Sequence, residues 1–84
     1  MDQKEVFAEI VSILKRFARN QEALAQATPQ TTFLKDLRVN SARLIDIVIE
    51  IQEKFSIEVS DEEADKVHSI GDAVALVVSK LSPQ

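Results

Sequence analysis

Apolar residues return at helical spacing from the start of the chain. Val6, Phe7, Ile10, Val11, Leu14, Phe17 and Ala18 share one face, while Lys4, Glu5, Glu9, Lys15 and Arg16 fall mostly on the other. That period predicts an amphipathic helix. Its end is unmarked. Asn20 to Ala27 holds no breaker, so the helix can run on to Thr28-Pro29. There proline lacks a backbone donor and crowds the residue before it. From Pro29 to Asn40 the period is lost, yet Phe33, Leu34, Leu37 and Val39 are apolar. Such anchors predict an ordered connection folded back over the core.

A second helix is predicted from Ser41 to about Phe55. Leu44, Ile45, Ile47, Val48, Ile49 and Ile51 make it apolar over most of its circumference, and Asp46, Glu50 and Glu53 form a narrow polar stripe. A helix of this kind is central or lines a cavity. It is rich in β-branched residues, so tertiary burial must hold it. Phe55-Ser56-Ile57-Glu58-Val59 alternates like a strand, but no second strand is available to pair with it. It predicts an extended connection with three buried anchors. Ser60-Asp61-Glu62-Glu63 is a capping box opening a short polar helix that ends near Val67. Ser69-Ile70-Gly71-Asp72 repeats the device with aspartate. The helix it opens carries Val74, Val77, Val78 and Leu81 as its stripe, with Pro83 as a stop.

Composition agrees with an all-α reading. The chain has 84 residues, enough for one domain and one modest core. One glycine and two prolines are too few for a hairpin-rich β fold. The net charge of -4 argues against nucleic-acid binding, which needs a basic footprint. The absence of cysteine excludes disulfides and thiolate metal sites. Met1 to Glu5 is charged and leads into no long apolar run, and no stretch approaches the ~18 apolar residues of a membrane span. A cytoplasmic protein is expected.

Catalytic chemistry finds little support. His68 is the single histidine, and no nucleophile-elbow sequence accompanies it. Asp61, Glu62, Asp65 and His68 lack a metal-ligand spacing, so they read as a solvated helix face. Asn40-Ser41 says more. If Asn40 caps the second helix, Ser41 is its first residue, with a hydroxyl directed to solvent. Uncapped N–H groups and the helix dipole would then favour an anion attached there. Alternatively, Ser41 is itself the cap.

Phe33-Leu34-Lys35-Asp36-Leu37-Arg38-Val39-Asn40-Ser41-Ala42 resembles the acyl carrier protein signature, in which Phe-x-x-Asp-Leu leads into Asp-Ser-Leu. Ile51 to Val59 looks like the family's run out of its second helix. Ser60 to Ala64 and Ser69 to Val74 look like the starts of its third and fourth. The likeness runs without a gap from about Thr32 to Leu81, whereas the first helix fits in pattern only. The resemblance implies a four-helix bundle over residues 1–84, with three longer helices and one short one. It implies a carrier, not an enzyme, with Ser41 as the attachment serine between Asn40 and Ala42. A phosphopantetheinyl transferase, served by magnesium, would load 4′-phosphopantetheine from coenzyme A. The thiol of that arm would bear an acyl group as a thioester and present it to separate enzymes of a fatty-acid, polyketide or related pathway. Ile45, Val48, Ile51, Phe55, Val59 and Val67 are the expected lining for the acyl chain, each buried methylene contributing about 0.8 kcal/mol. An ordinary dry core would use the same residues.

The departures from the family pattern shape the expected partners. Asn40 replaces the aspartate, Ala42 the leucine, and Arg43 a usually acidic residue; Gln52 and Lys54 stand where acids are common. With Arg43 and Lys54 set against Asp46, Glu50 and Glu53, the docking helix is close to neutral. A standard fatty-acid-synthase partner is therefore expected to bind poorly, and true partners to carry less basic or partly acidic patches around Arg43. Two readings remain open: a specialised monomeric carrier, or a degenerate carrier-like domain that has lost the arm and serves as an interaction or regulatory module.

Overall fold

A computed structural model of the chain describes residues 2–81. Asp2 caps the first helix, α1 (Gln3–Leu14), its carboxylate accepting from the Glu5 N–H at 2.8 Å. Val6, Ile10, Ile13 and Leu14 form the buried face. The helix does not run on. The Phe17 and Ala18 N–H groups both turn back to the Leu14 carbonyl, and the Gln21 side-chain amide covers the Ala18 carbonyl at 2.6 Å. Asn20 then opens an extra short helix, α2 (Gln21–Ala25), by accepting from the Ala23 N–H at 3.0 Å. Asn20 is thus a boundary, because its side chain satisfies a first-turn donor better than a continuing helix would use it. The described residues therefore hold five α-helices instead of four.

The connection from Ala27 to Asn40 is ordered by its own backbone. Leu37 carbonyl oxygen accepts from Arg19 and Asn20, the Leu37 N–H donates to Thr32, and the Val39 N–H donates to Phe33. A clasp fastens it to the start of the last helix. Gly71 donates to Pro29 (2.8 Å), Ile70 to Thr31 (2.9 Å) and Phe33 to His68 (3.1 Å), with Thr32 and Ser69 forming an isolated antiparallel bridge. Phe33, Leu37 and Val39 are buried as expected, but Leu34 is 50% exposed. Three anchors suffice to cover this side of the core, and Leu34 points away from it.

Ser41–Arg43 form a single 3-10 turn that leads into α3 (Leu44–Phe55). This helix buries Ile47, Ile51 and Phe55, while Ile45 and Ile49 stay 69% and 44% exposed. Its apolar circumference is therefore only partly a core feature. Ser56 ends it in the left-handed conformation, φ 55°. The following stretch is extended without being a strand. Phe55 is buried but Ile57 and Val59 are half-buried, and the Gln52 side chain fastens the segment by accepting from the Val59 N–H at 2.8 Å. The Ser60–Glu63 capping box forms as read and opens α4 (Asp61–Asp65). The second box opens α5 (Ile70–Leu81): Ser69 Oγ accepts from the Asp72 N–H, and Asp72 Oδ2 from the N–H groups of His68 and Ser69. Val74 and Val77 are buried there, whereas Leu81 is 38% exposed; Pro83 lies outside the described residues. The core forms where α1 packs against α5 and α3, and no polar side chain among the described residues is buried in it.

Candidate functional site

The open question at Asn40-Ser41 is decided by geometry. Asn40 has an extended backbone, and its Oδ1 accepts from the Ala42 N–H at 2.9 Å, so Asn40 is the cap. Ser41 is the first residue of the turn and is exposed. Among the described residues nothing hydrogen-bonds its hydroxyl. One part of the expectation fails. The tight 3-10 winding uses the amides that were expected to face an anion. The Ala42 N–H goes to Asn40 Oδ1, the Arg43 N–H to the Asn40 carbonyl at 2.8 Å, and the Leu44 N–H to the Ser41 carbonyl. A phosphodiester on Ser41 would sit in the field of α3 without a ring of amide donors.

Asp36, in the Phe-x-x-Asp-Leu stretch, holds the preceding loop. Its Oδ2 accepts from the Thr32 backbone N–H (2.8 Å) and hydroxyl (3.0 Å). Those bonds, the backbone one first, hold its carboxyl below the ordinary aspartate range. The motif aspartate therefore positions the segment that delivers Ser41, and Asn20 secures the same segment by donating to the Asp36 carbonyl at 3.2 Å.

Ser41 stands at the edge of an apolar groove of about 340 Å³ between α3 and α4. Of the expected lining residues, Ile45, Val48, Ile51 and Val67 do line it. Val59 instead borders a smaller crevice of about 10 Å³ that also touches Val48, Ile51 and Val67. Phe55 lines neither space; it is 7% exposed and belongs to the core. Phe33, Leu34 and Leu44 were not foreseen as lining, nor were Ala64, Asp65 and His68. Apolar residues in the loop before Ser41 were the one available signal. A separate cleft of about 470 Å³, bordered by Phe7, Pro29 and Val74, contains none of the residues from Phe33 to Ala42.

Most charges along α3 are paired within the chain. Arg43 pairs with Asp46 at 3.2 Å, Arg16 from beyond α1 pairs with Glu50, and Lys54 pairs with Glu9 at 2.8 Å. Both Arg16 and Arg43 lie 5.6 Å from the centroid of the Phe17 ring, within cation–π range. Glu53 has no ion pair among the described residues. Those residues hold no cluster of three His, Cys, Asp or Glu suited to a metal ion, and no helix long and apolar enough to cross a membrane.

An exposed, unbonded serine hydroxyl beside an apolar groove fits a phosphate-linked arm: the oxygen is open to modification and the groove can take an apolar cargo. Comparisons with known proteins agree. Residues 5–77 match the family model described as phosphopantetheine attachment site. The acyl carrier protein of Rubrobacter xylanophilus is 33% identical over 78 residues, which is 93% of this chain and 94% of that one. That of Helicobacter pylori is 40% identical over 53 residues, 63% of this chain and 68% of its own. The solved acyl carrier protein of Enterococcus faecalis superposes with a TM-score of 0.77 at 31% identity, covering 95% of this chain and 99% of that chain. That of Thermotoga maritima gives 0.73 at 27% identity, over 96% and 92%. Proteins of this kind carry a covalent 4′-phosphopantetheine and are carriers, not enzymes. By a match that spans most of its length and a fold shared along it, the chain belongs to the acyl carrier protein family.

Proposed function

We propose that Ser41 bears the 4′-phosphopantetheine arm, and that the protein is a monomeric cytoplasmic carrier for a dedicated acyl or polyketide pathway. The observation that carries the reading is the exposed Ser41 hydroxyl, without a hydrogen-bond partner among the described residues, at the edge of an apolar groove. When attached, the arm supplies a thiol that holds an acyl group as a thioester. The chain's own part is to present that arm and to shelter its cargo. Asn40 fixes the turn that points Ser41 outward, and Asp36 fixes the loop before it. Ile45, Val48, Ile51 and Val67 offer apolar cover for an acyl chain. Each methylene they cover adds about 0.8 kcal/mol, so a short chain is held and still released. The specialised pathway is supported by Asn40 and Ala42 in place of the family's aspartate and leucine, and by Arg43 beside them.

Intact-mass measurement tests the assignment. The apo protein, incubated with coenzyme A, magnesium and a broad-specificity phosphopantetheinyl transferase, gains one phosphopantetheine, and Ser41→Ala gains none. No gain with any transferase would overturn the assignment in favour of an armless interaction module. For the shelter, loading an acyl chain shifts the methyl NMR signals of Val48, Ile51 and Val67; unmoved signals count against it.

A further inference from the structure

The second cleft, of about 470 Å³, is bordered by the first turns of α1 and α5 and by the start of the connection at Ala27 to Pro29. Its volume lies in the range of roughly 300–1,000 Å³ typical of small-molecule sites. Phe7, Pro29 and Val74 give it apolar walls. One wall is fixed by backbone: Gly71 donates to the Pro29 carbonyl at 2.8 Å, and a Cβ at Gly71 would meet that same oxygen. A wall that is already held in place has little freedom to lose when a ligand arrives.

Charge selects the ligand. Lys4 is the one charged residue lining the cleft, and no acid lines it. Lys4 is exposed and forms no ion pair among the described residues. Its acidic neighbours do not cancel it. The Asp2 carboxylate is engaged with the Glu5 N–H, and Glu5, the next residue along α1, falls on another side of the helix. Gln3 also lines the cleft, with an amide in no hydrogen bond among the described residues. Gln3 and Lys4 precede Phe7 by four and three residues, so both share its face of α1. A single cation beside apolar walls suits a monoanion on an alkyl chain. We propose that this cleft binds a medium-chain alkyl carboxylate, with the carboxylate at Lys4 and the chain along Phe7, Pro29 and Val74. The site shares no lining residue with the groove at Ser41, and the inference stands whether or not Ser41 carries an arm.

NMR titration of the apo protein with octanoate and decanoate, below their micelle concentrations, tests it. Phe7 ring and Val74 and Ala75 methyl signals shift saturably, and decanoate binds up to about fifteenfold more tightly than octanoate, the effect of two further methylenes. Octanol, uncharged, binds about two- to fivefold more weakly than octanoate, and octylammonium more weakly still. Lys4→Gln brings octanoate to the level of octanol and leaves octanol unchanged; Lys4→Glu makes octanoate the weaker of the two. Both substitutions are at an exposed helix position, and circular dichroism verifies the fold. No saturable shift at Phe7 and Val74 would overturn the proposal. So would shifts confined to Val48, Ile51 and Val67, which place the chain in the groove at Ser41, or equal affinities for octanoate and octanol in the unaltered protein. The Ser41→Ala protein gives the same titration as the parent, so a missing mass gain at Ser41 leaves this inference untouched.

Discussion

Gly71→Ala offers a direct trial of the clasp that holds the loop before Ser41. Gly71 has no positive φ, so its backbone would accept alanine. What forbids the side chain is proximity. A Cβ at Gly71 would lie 2.8 Å from the Pro29 carbonyl oxygen and 3.1 Å from Pro29 Cβ. The same oxygen accepts the Gly71 N–H at 2.8 Å, so it cannot retreat without lengthening that bond. Two effects oppose each other. Alanine is the better helix former, by up to about 1 kcal/mol. Forcing a methyl against a backbone oxygen costs about 1–3 kcal/mol, and weakening the hydrogen bond adds about 0.5–1.5 kcal/mol. The clash wins, leaving a net loss of roughly 1–3 kcal/mol. For a domain of this size each kcal/mol lowers Tm by about 4–8 °C. Thermal and urea unfolding followed by circular dichroism measures the loss. Ala75→Gly, at an exposed site on the same helix, calibrates the propensity term at about 1 kcal/mol. Since the clasp also holds Phe33, and Phe33 borders the groove at Ser41, loading of Gly71→Ala should slow as well. A Tm equal to or above that of the parent protein would refute the reasoning: the loop would be yielding freely, and the clasp would not position Ser41.

Three further outcomes are expected. Ser56→Gly relieves a left-handed residue at the end of α3 and raises stability by about 0.5–1 kcal/mol in urea unfolding; a decrease would contradict the cap geometry. Asp36 and Asp72 have folded pKa values below their ordinary ones, through bonds led by the Thr32 and His68 backbone N–H groups respectively. Their stabilisation is therefore complete above about pH 4 and is lost as pH falls through the lower folded values, so an acid titration of Asp36→Asn/Asp72→Asn should show a flatter acid limb than the parent. Ile51→Ala, at a position 4% exposed between core and groove, costs about 2–5 kcal/mol by chemical denaturation, and a loss below 1 kcal/mol would mean that the groove wall collapses to fill the space.

Much of the fold was legible because its signals are local. The Ser60–Glu63 capping box needs only four residues, and it formed as read, as did the Ser69–Asp72 version. In α1, Val6, Ile10 and Leu14 followed from period, whereas the buried Ile13 did not, and Phe7 and Val11 are only half-buried. The second short helix was not legible. Asn20 is compatible with a helix interior, and only the placement of its side chain on the Ala23 N–H makes it a start. Hydrophobic patterning could not separate the core residues of α3 from those facing the groove or solvent. It counts Ile45 and Ile49 with the buried isoleucines, since apolar residues that face solvent carry the same letters as those that face the core. At the site, Asn40-Ser41 was readable as a helix start, but which of the two is the cap was not, nor was the pairing of Glu50 with Arg16. That contact depends on how α1 and α3 cross, information that no single segment contains.

The stretch from Pro29 to Val39 is fastened by its main chain: Pro29, Thr31, Thr32, Phe33 and Leu37 all bond through backbone atoms. Peptide groups are common to every residue type, so this fastening is indifferent to most of the letters written over it. Leu34 and Lys35 point outward and can drift without loosening the strap; Phe33, Asp36 and Leu37 cannot. Side-chain changes at those two outward positions therefore leave the frame before Ser41 intact.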